Sequence, residues 1–145
     1  MFRTVLVLHL LGACIWVGGH LVLLLTILPK ALRERDPRTV LNFERGYERI
    51  GIPALVVQAI TGIWLALRYV PELWSAFTCS DPLRTAVAIK LLLLLATLLT
   101  GLHARLRIIP YLTPERMSML AAHVTLVTLL AVAMLFMGAF IRTGA

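Results

Sequence analysis

Residues 9–20 read His9-Leu10-Leu11-Gly12-Ala13-Cys14-Ile15-Trp16-Val17-Gly18-Gly19-His20, and they decide the fold. They lie inside an apolar run from about Thr4 to Leu28. A run of that length crosses a bilayer as a helix, which takes roughly 20 residues. Ionisable side chains inside a membrane span are functional-site candidates, because burying them in hydrocarbon is costly. His9 and His20 are eleven positions apart. At about 100° per residue this is close to three turns, so both rings share one helix face, roughly 16 Å apart along the axis.

The rest of the chain has the same character. Of 145 residues, 60% are hydrophobic and only 14% charged, which rules out an ordinary soluble domain. Further apolar segments fall at about 50–70, 84–106 and 117–141. Each has bilayer length, and a spanning chain must satisfy its backbone hydrogen bonds internally. The sequence therefore predicts an all-α integral membrane four-helix bundle of up-down topology, one domain over 1–145. Leu11-Gly12-Ala13-Cys14 loosely matches a lipoprotein cleavage box, but the apolar run outlasts a signal h-region of about 7–15 residues, so retention of the first helix is expected.

The net charge of +7 is localised. Lys30, Arg33, Arg35, Arg38, Arg45 and Arg49 lie between the first two helices, and Arg105, Arg107 and Arg116 between the last two. The 71–83 connection carries only Glu72 and Asp81. The positive-inside rule then puts both basic loops in the cytoplasm and both termini in the periplasm of a bacterial inner membrane. This charge suits anionic headgroups and is no signal for nucleic acid. Leu28-Pro29-Lys30 predicts the end of the first helix, since proline cannot continue the ladder. Val40, Leu41, Phe43, Tyr47 and Ile50 recur at near-helical spacing and predict a short amphipathic helix in the headgroup layer. Tyr69 and Trp74 fit an outer aromatic belt, Tyr47 and Tyr111 an inner one. Asp81-Pro82 and Thr113-Pro114 are helix-start signals.

Depth sorts the candidate ligands. Measured from each helix centre, His9 is roughly 11 Å outward and His20 roughly 5 Å inward. His123 and His103 are roughly 9 and 12 Å inward, and Met134 and Met137 roughly 8 and 12 Å outward. An inner layer of His20, His103 and His123 thus faces an outer layer of His9, Met134 and Met137. Imidazole pairs on facing helices hold haem, and His with Met is a second haem pairing. The same atoms suit Cu(I). Gly12, Gly18 and Gly19 permit close approach of a macrocycle or of another helix, with ordinary packing the simpler use. Gln58 and Thr61 are expected to serve packing, Lys90 to snorkel outward, and Cys14 to face away from both histidines.

Leu8 to Gly19, with its His followed seven positions later by Trp and then a Gly pair, resembles the first helix of the CopD (copper resistance D) family. The likeness extends through Ile89-Lys90-Leu91 and the closing Met137-Gly138-Ala139-Phe140-Ile141-Arg142. It implies copper handling at the inner membrane, often with a periplasmic copper-binding partner. A related pattern is that of HemJ-type protoporphyrinogen oxidases, in which the residues matching His9 and Lys90 are functional and haem b is bound. This chain departs from that pattern at Lys30, where Arg is usual, and in lacking a polar Asn/Glu-Pro feature in its last helix.

Three readings follow. In the first the protein is a membrane cytochrome of b type, with His20 and His103 or His123 ligating haem b and His9 serving an outer centre, passing electrons to a redox partner or quinone. Any enzymatic role is then that of a membrane oxidoreductase. In the second it transfers copper, with His9, Met134 and Met137 as the outer entry site and the inner histidines as the exit. A structural subunit whose histidines only hydrogen-bond is the third alternative. Association of several copies is compatible with all of them.

Overall fold

In a computed structural model, which describes residues 1–143, the apolar segments form long helices: α1 (Phe2–Glu34), α2 (Pro37–Tyr69), α3 (Pro82–Tyr111) and α4 (Pro114–Thr143). No strand occurs among the described residues. α1 packs on α2 and α3 on α4, and the two hairpins meet chiefly where α1 lies against α4. The mid-helix surface is apolar outward: Leu25, Ile60, Leu129 and Phe136 are all exposed. This is the pattern of a protein whose solvent is lipid, and the architecture is an all-α four-helix membrane bundle.

Each helix is longer than its apolar segment predicts. α1 does not stop at Pro29. Residues Leu23–Ile27 form a π-helical turn in which the Leu28 N–H donates to Leu23 O, and the helix runs on to Glu34. A proline ring collides with the carbonyl four residues back and removes one donor, and the wider π turn absorbs both effects. α3 repeats the device: a π turn at Ala104–Ile108 precedes Pro110 in a closing 3-10 turn. Arg35, at φ 52°, then ends α1 in a left-handed cap.

The segment expected to lie apart in the headgroup layer is helical, but it continues into α2 without a break. Asp36 caps the Arg38 N–H, Pro37 starts the helix, and it runs through Pro53 to Tyr69. At about 1.5 Å per residue its 33 residues reach about 50 Å, well beyond the roughly 30 Å of hydrocarbon. Its first turns therefore stand along the bundle, where Tyr47 donates to Ile15 O (3.0 Å) and Trp16 O (3.2 Å) of α1. A Cβ on Gly19 would overlap the Tyr47 ring, and one on Gly12 would come within 2.9 Å of Ala54 O. These glycines are thus used for helix contact, while Gly18 faces open space.

The connection after α2 contains one helical turn, Leu73–Ala76, with Trp74 exposed as a belt residue would be. Asp81 then caps α3, accepting from the Arg84 backbone (2.9 Å) and guanidinium (2.8 Å). These bonds hold its carboxyl below the usual carboxylate range. Packed side chains concentrate at the two ends. Leu28, Ala31, Val40, Ile108, Met117, Leu120 and Val124 fill the end with the basic connections, and Ala66, Val70, Ala76, Val87 and Ala88 the end with the termini. Beside each cluster lies a cavity.

Candidate functional site

The cavity on the basic side has a volume of about 310 Å³. His20 of α1 and His123 of α4 both line it. His20 is half-buried; its Nδ1 lies 2.9 Å from Trp16 O, one turn back along α1. A carbonyl only accepts, so Nδ1 carries the proton and Nε2 keeps its lone pair. The Trp16 ring packs on His20 at 4.4 Å between centroids, and Tyr47 meets it edge-on at 6.0 Å. The Trp16 Nε1 is buried without a partner.

His123 is held differently. Its Nδ1 donates to Met119 O at 2.9 Å, and its Nε2 therefore accepts from His103 Nδ1 at 3.0 Å. The two rings stack at 5.0 Å. His103 is exposed on the outside of the bundle and does not line the cavity. Of the three histidines expected in one layer, two share a cavity and the third hydrogen-bonds the Nε2 of one of them from outside it. At the rim stand Glu44 and Glu48, with Arg105 paired to Glu48.

The cavity on the terminal side is about 400 Å³ and bordered by His9, Met134, Gln58, Lys90 and Arg142. His9 donates from Nδ1 to Gln58 O (3.0 Å), with Thr61 Oγ1 at 3.1 Å. The Thr61 hydroxyl itself donates to Val57 O at 2.6 Å, so its oxygen is free to accept from the ring. His9 Nε2 again keeps its lone pair. The Thr61 hydroxyl and the Gln58 backbone carbonyl orient this histidine, while the Gln58 side chain is buried beside it. Gly62 makes room for the ring: a Cβ there would lie 2.9 Å from His9 Cε1. Met137 is half-buried but does not line this cavity.

Lys90, expected to snorkel outward, lines the cavity, with its Nζ close enough to α4 that a Cβ on Gly138 would sit 3.3 Å away. Sequence position alone did not place it there, because its direction is set by α4 packing. Gly62 and Tyr47 were missed for the same reason: each matters through a residue more than thirty positions away. The Gly12–Gly19 spacing of seven was the one available signal for the α1–α2 seam. Cys14 and Cys79 are both free and exposed. Among the described residues, no group of three His, Cys, Asp or Glu side chains converges as a ready metal site.

A family model described as copper resistance protein D matches residues 41–142. The chain belongs to the CopD family. It is accordingly a multi-pass membrane protein of copper-resistance type, living in a lipid bilayer. The matched stretch begins within α2 and takes in Lys90, His103, His123, Met134 and Met137; α1, with His9 and His20, precedes it. The match gives no support to the HemJ likeness. No curated protein and no solved structure matches the chain.

Proposed function

We propose that this CopD-family protein handles copper as its substrate at the basic-side cavity, with His20 as the leading ligand and His123 as the second, its Nε2 exchanging the His103 hydrogen bond for the metal. The observation that carries this is the proton placement on His20. Its Nδ1–H is spent on Trp16 O, which leaves Nε2 as a free donor in a cavity that His123 also lines. A backbone carbonyl on the far nitrogen is the usual way a ligating imidazole is oriented. Charge supports the same cavity: its rim has two carboxylates and one guanidinium, whereas Lys90 and Arg142 oppose a cation near His9 and Met134. Imidazole alone does not choose among Cu, Zn, Fe and Ni, so copper rests on the family.

The loop charges favour the basic connections on the cytoplasmic face of a bacterial inner membrane and the termini in the periplasm. Cys79, exposed in the acidic connection, should then react with an impermeant thiol reagent added from the periplasmic side; labelling from the cytoplasmic side alone reverses the orientation.

A haem b reading has one observation in its favour: His20 and His123 come from neighbouring helices and line one cavity with the Trp16 and Tyr47 rings on its wall. The pair would hold the haem between them, and bound haem would supply one-electron chemistry towards a redox partner or quinone. As with copper, the His103 hydrogen bond must first leave His123 Nε2. An absorption spectrum and metal analysis on one purified sample separate the cases. Copper without a Soret band supports the first reading. A Soret band supports haem, and neither signal leaves the histidines structural.

A further inference from the structure

The terminal-side cavity holds a cation with no acidic partner among the described residues. Lys90 is half-buried on its wall, and no acidic side chain pairs with it among the described residues, whose ion pairs are Arg84–Asp81 and Arg105–Glu48. The other titratable groups bordering this cavity are His9, Tyr69 and the second cation, Arg142. None supplies negative charge. A buried cation without a counter-charge is costly, and intramembrane lysines are normally paired. A second polar group is also unmatched. Gln58 is 8% exposed, lines the same cavity, and its Oε1 has no hydrogen-bond partner. The remaining wall is apolar, with Leu6, Leu91 and Leu94 from α1 and α3. At about 400 Å³ the volume falls within the roughly 300–1,000 Å³ of small-molecule sites.

We propose that this cavity binds an anionic amphiphile, its acidic head paired with Lys90 and its hydrocarbon body lying along the apolar wall. The head requires an acidic oxygen, to answer Lys90 and Arg142. A carboxylate on a single acyl chain and the phosphate of an acidic phospholipid share this acidic oxygen; the hydroxyls of a phosphoglycerol head would in addition offer a donor to Gln58 Oε1. The proposal is independent of the copper reading, since it concerns the other cavity and a residue outside the His20–His123 set.

The test uses the full chain in nanodiscs of phosphatidylcholine, supplied with isotope-labelled oleate in one arm and phosphatidylglycerol in the other. Native mass spectrometry counts what stays bound. Wild type should retain about one anionic molecule per chain in preference to phosphatidylcholine; the arm that binds identifies the source. Lys90→Met should lower the retained fraction roughly tenfold, the loss of one charge-assisted hydrogen bond, and Lys90→Arg should restore most of it. The copper content of Lys90→Met, measured on the same preparation, should equal that of wild type. Retention of phosphatidylcholine equal to that of both anions overturns the proposal without recourse to any variant. So does undiminished anion retention by Lys90→Met. Absence of copper from every sample overturns the copper reading and leaves this one standing on its amphiphile.

Discussion

The two cavities draw on the same helix and present the same group, yet they have opposite electrostatic characters. His9 and His20 each give an Nδ1–H to a backbone carbonyl and keep Nε2 free. What differs is the company. His20 sits with His123 below a rim holding Glu44, Glu48 and Arg105, and His9 sits with Lys90 and Arg142 and no acid. Inside low-dielectric surroundings such charges interact strongly, so they outweigh the similarity of the imidazoles. An intramembrane histidine is therefore not a metal ligand by identity; its neighbours on the other helices decide.

The largest effect that would sharpen this contrast is expected at His103. It lines neither cavity, but it donates to His123 Nε2 and so occupies the lone pair that the second ligand needs. His103→Ala should free that lone pair and strengthen copper binding up to about tenfold, the worth of one hydrogen bond, while retention of anionic amphiphile stays unchanged. Equilibrium dialysis against a copper chelator reads this; unaltered affinity would remove His103 from the account.

A smaller effect should appear on the other side. Gly62→Ala places a methyl group against the His9 ring. Overpacking of this kind costs about 1–3 kcal/mol. The variant should melt at a lower temperature in detergent and lose amphiphile, with its copper content intact. If copper falls as well, the two cavities are not independent.

The smallest change belongs to the rim. The Glu48–Arg105 pair is half-exposed, and such pairs contribute about 0–1 kcal/mol. Glu48→Gln should leave thermal stability nearly unaltered but reduce copper affinity a few-fold, with the effect fading at high salt. An increase in affinity would contradict the charge assignment of this cavity.

Much of the fold was legible in the sequence because lipid imposes it: length and hydropathy alone predict the spans, and the layers put His20 near His123. Helix ends were less legible. Pro29 is a helix stop by local rules, and the π turn at Leu23–Ile27 that defeats it has no composition signature. The sequence also set the amphipathic segment apart, whereas it runs unbroken into α2, its first turns held against α1 by Tyr47 through contacts to Ile15 and Trp16. At the site, depth grouped His20 with His123, which line one cavity, but azimuth did not follow. Lys90 lines the terminal-side cavity, and His103 and Met137 stand outside the cavities their neighbours share, because neighbouring helices set the direction.

The division of the two cavities by charge is tested most directly by the copper content of His20→Ala and His9→Ala, purified side by side with wild type under one copper load. The account predicts that His20→Ala, and likewise His123→Ala, loses the principal bound copper, whereas His9→Ala retains it, since His9 lies roughly 16 Å away along α1 beside two cations. Copper lost with His9→Ala and kept in both basic-side variants would contradict it and move the metal to the terminal-side cavity.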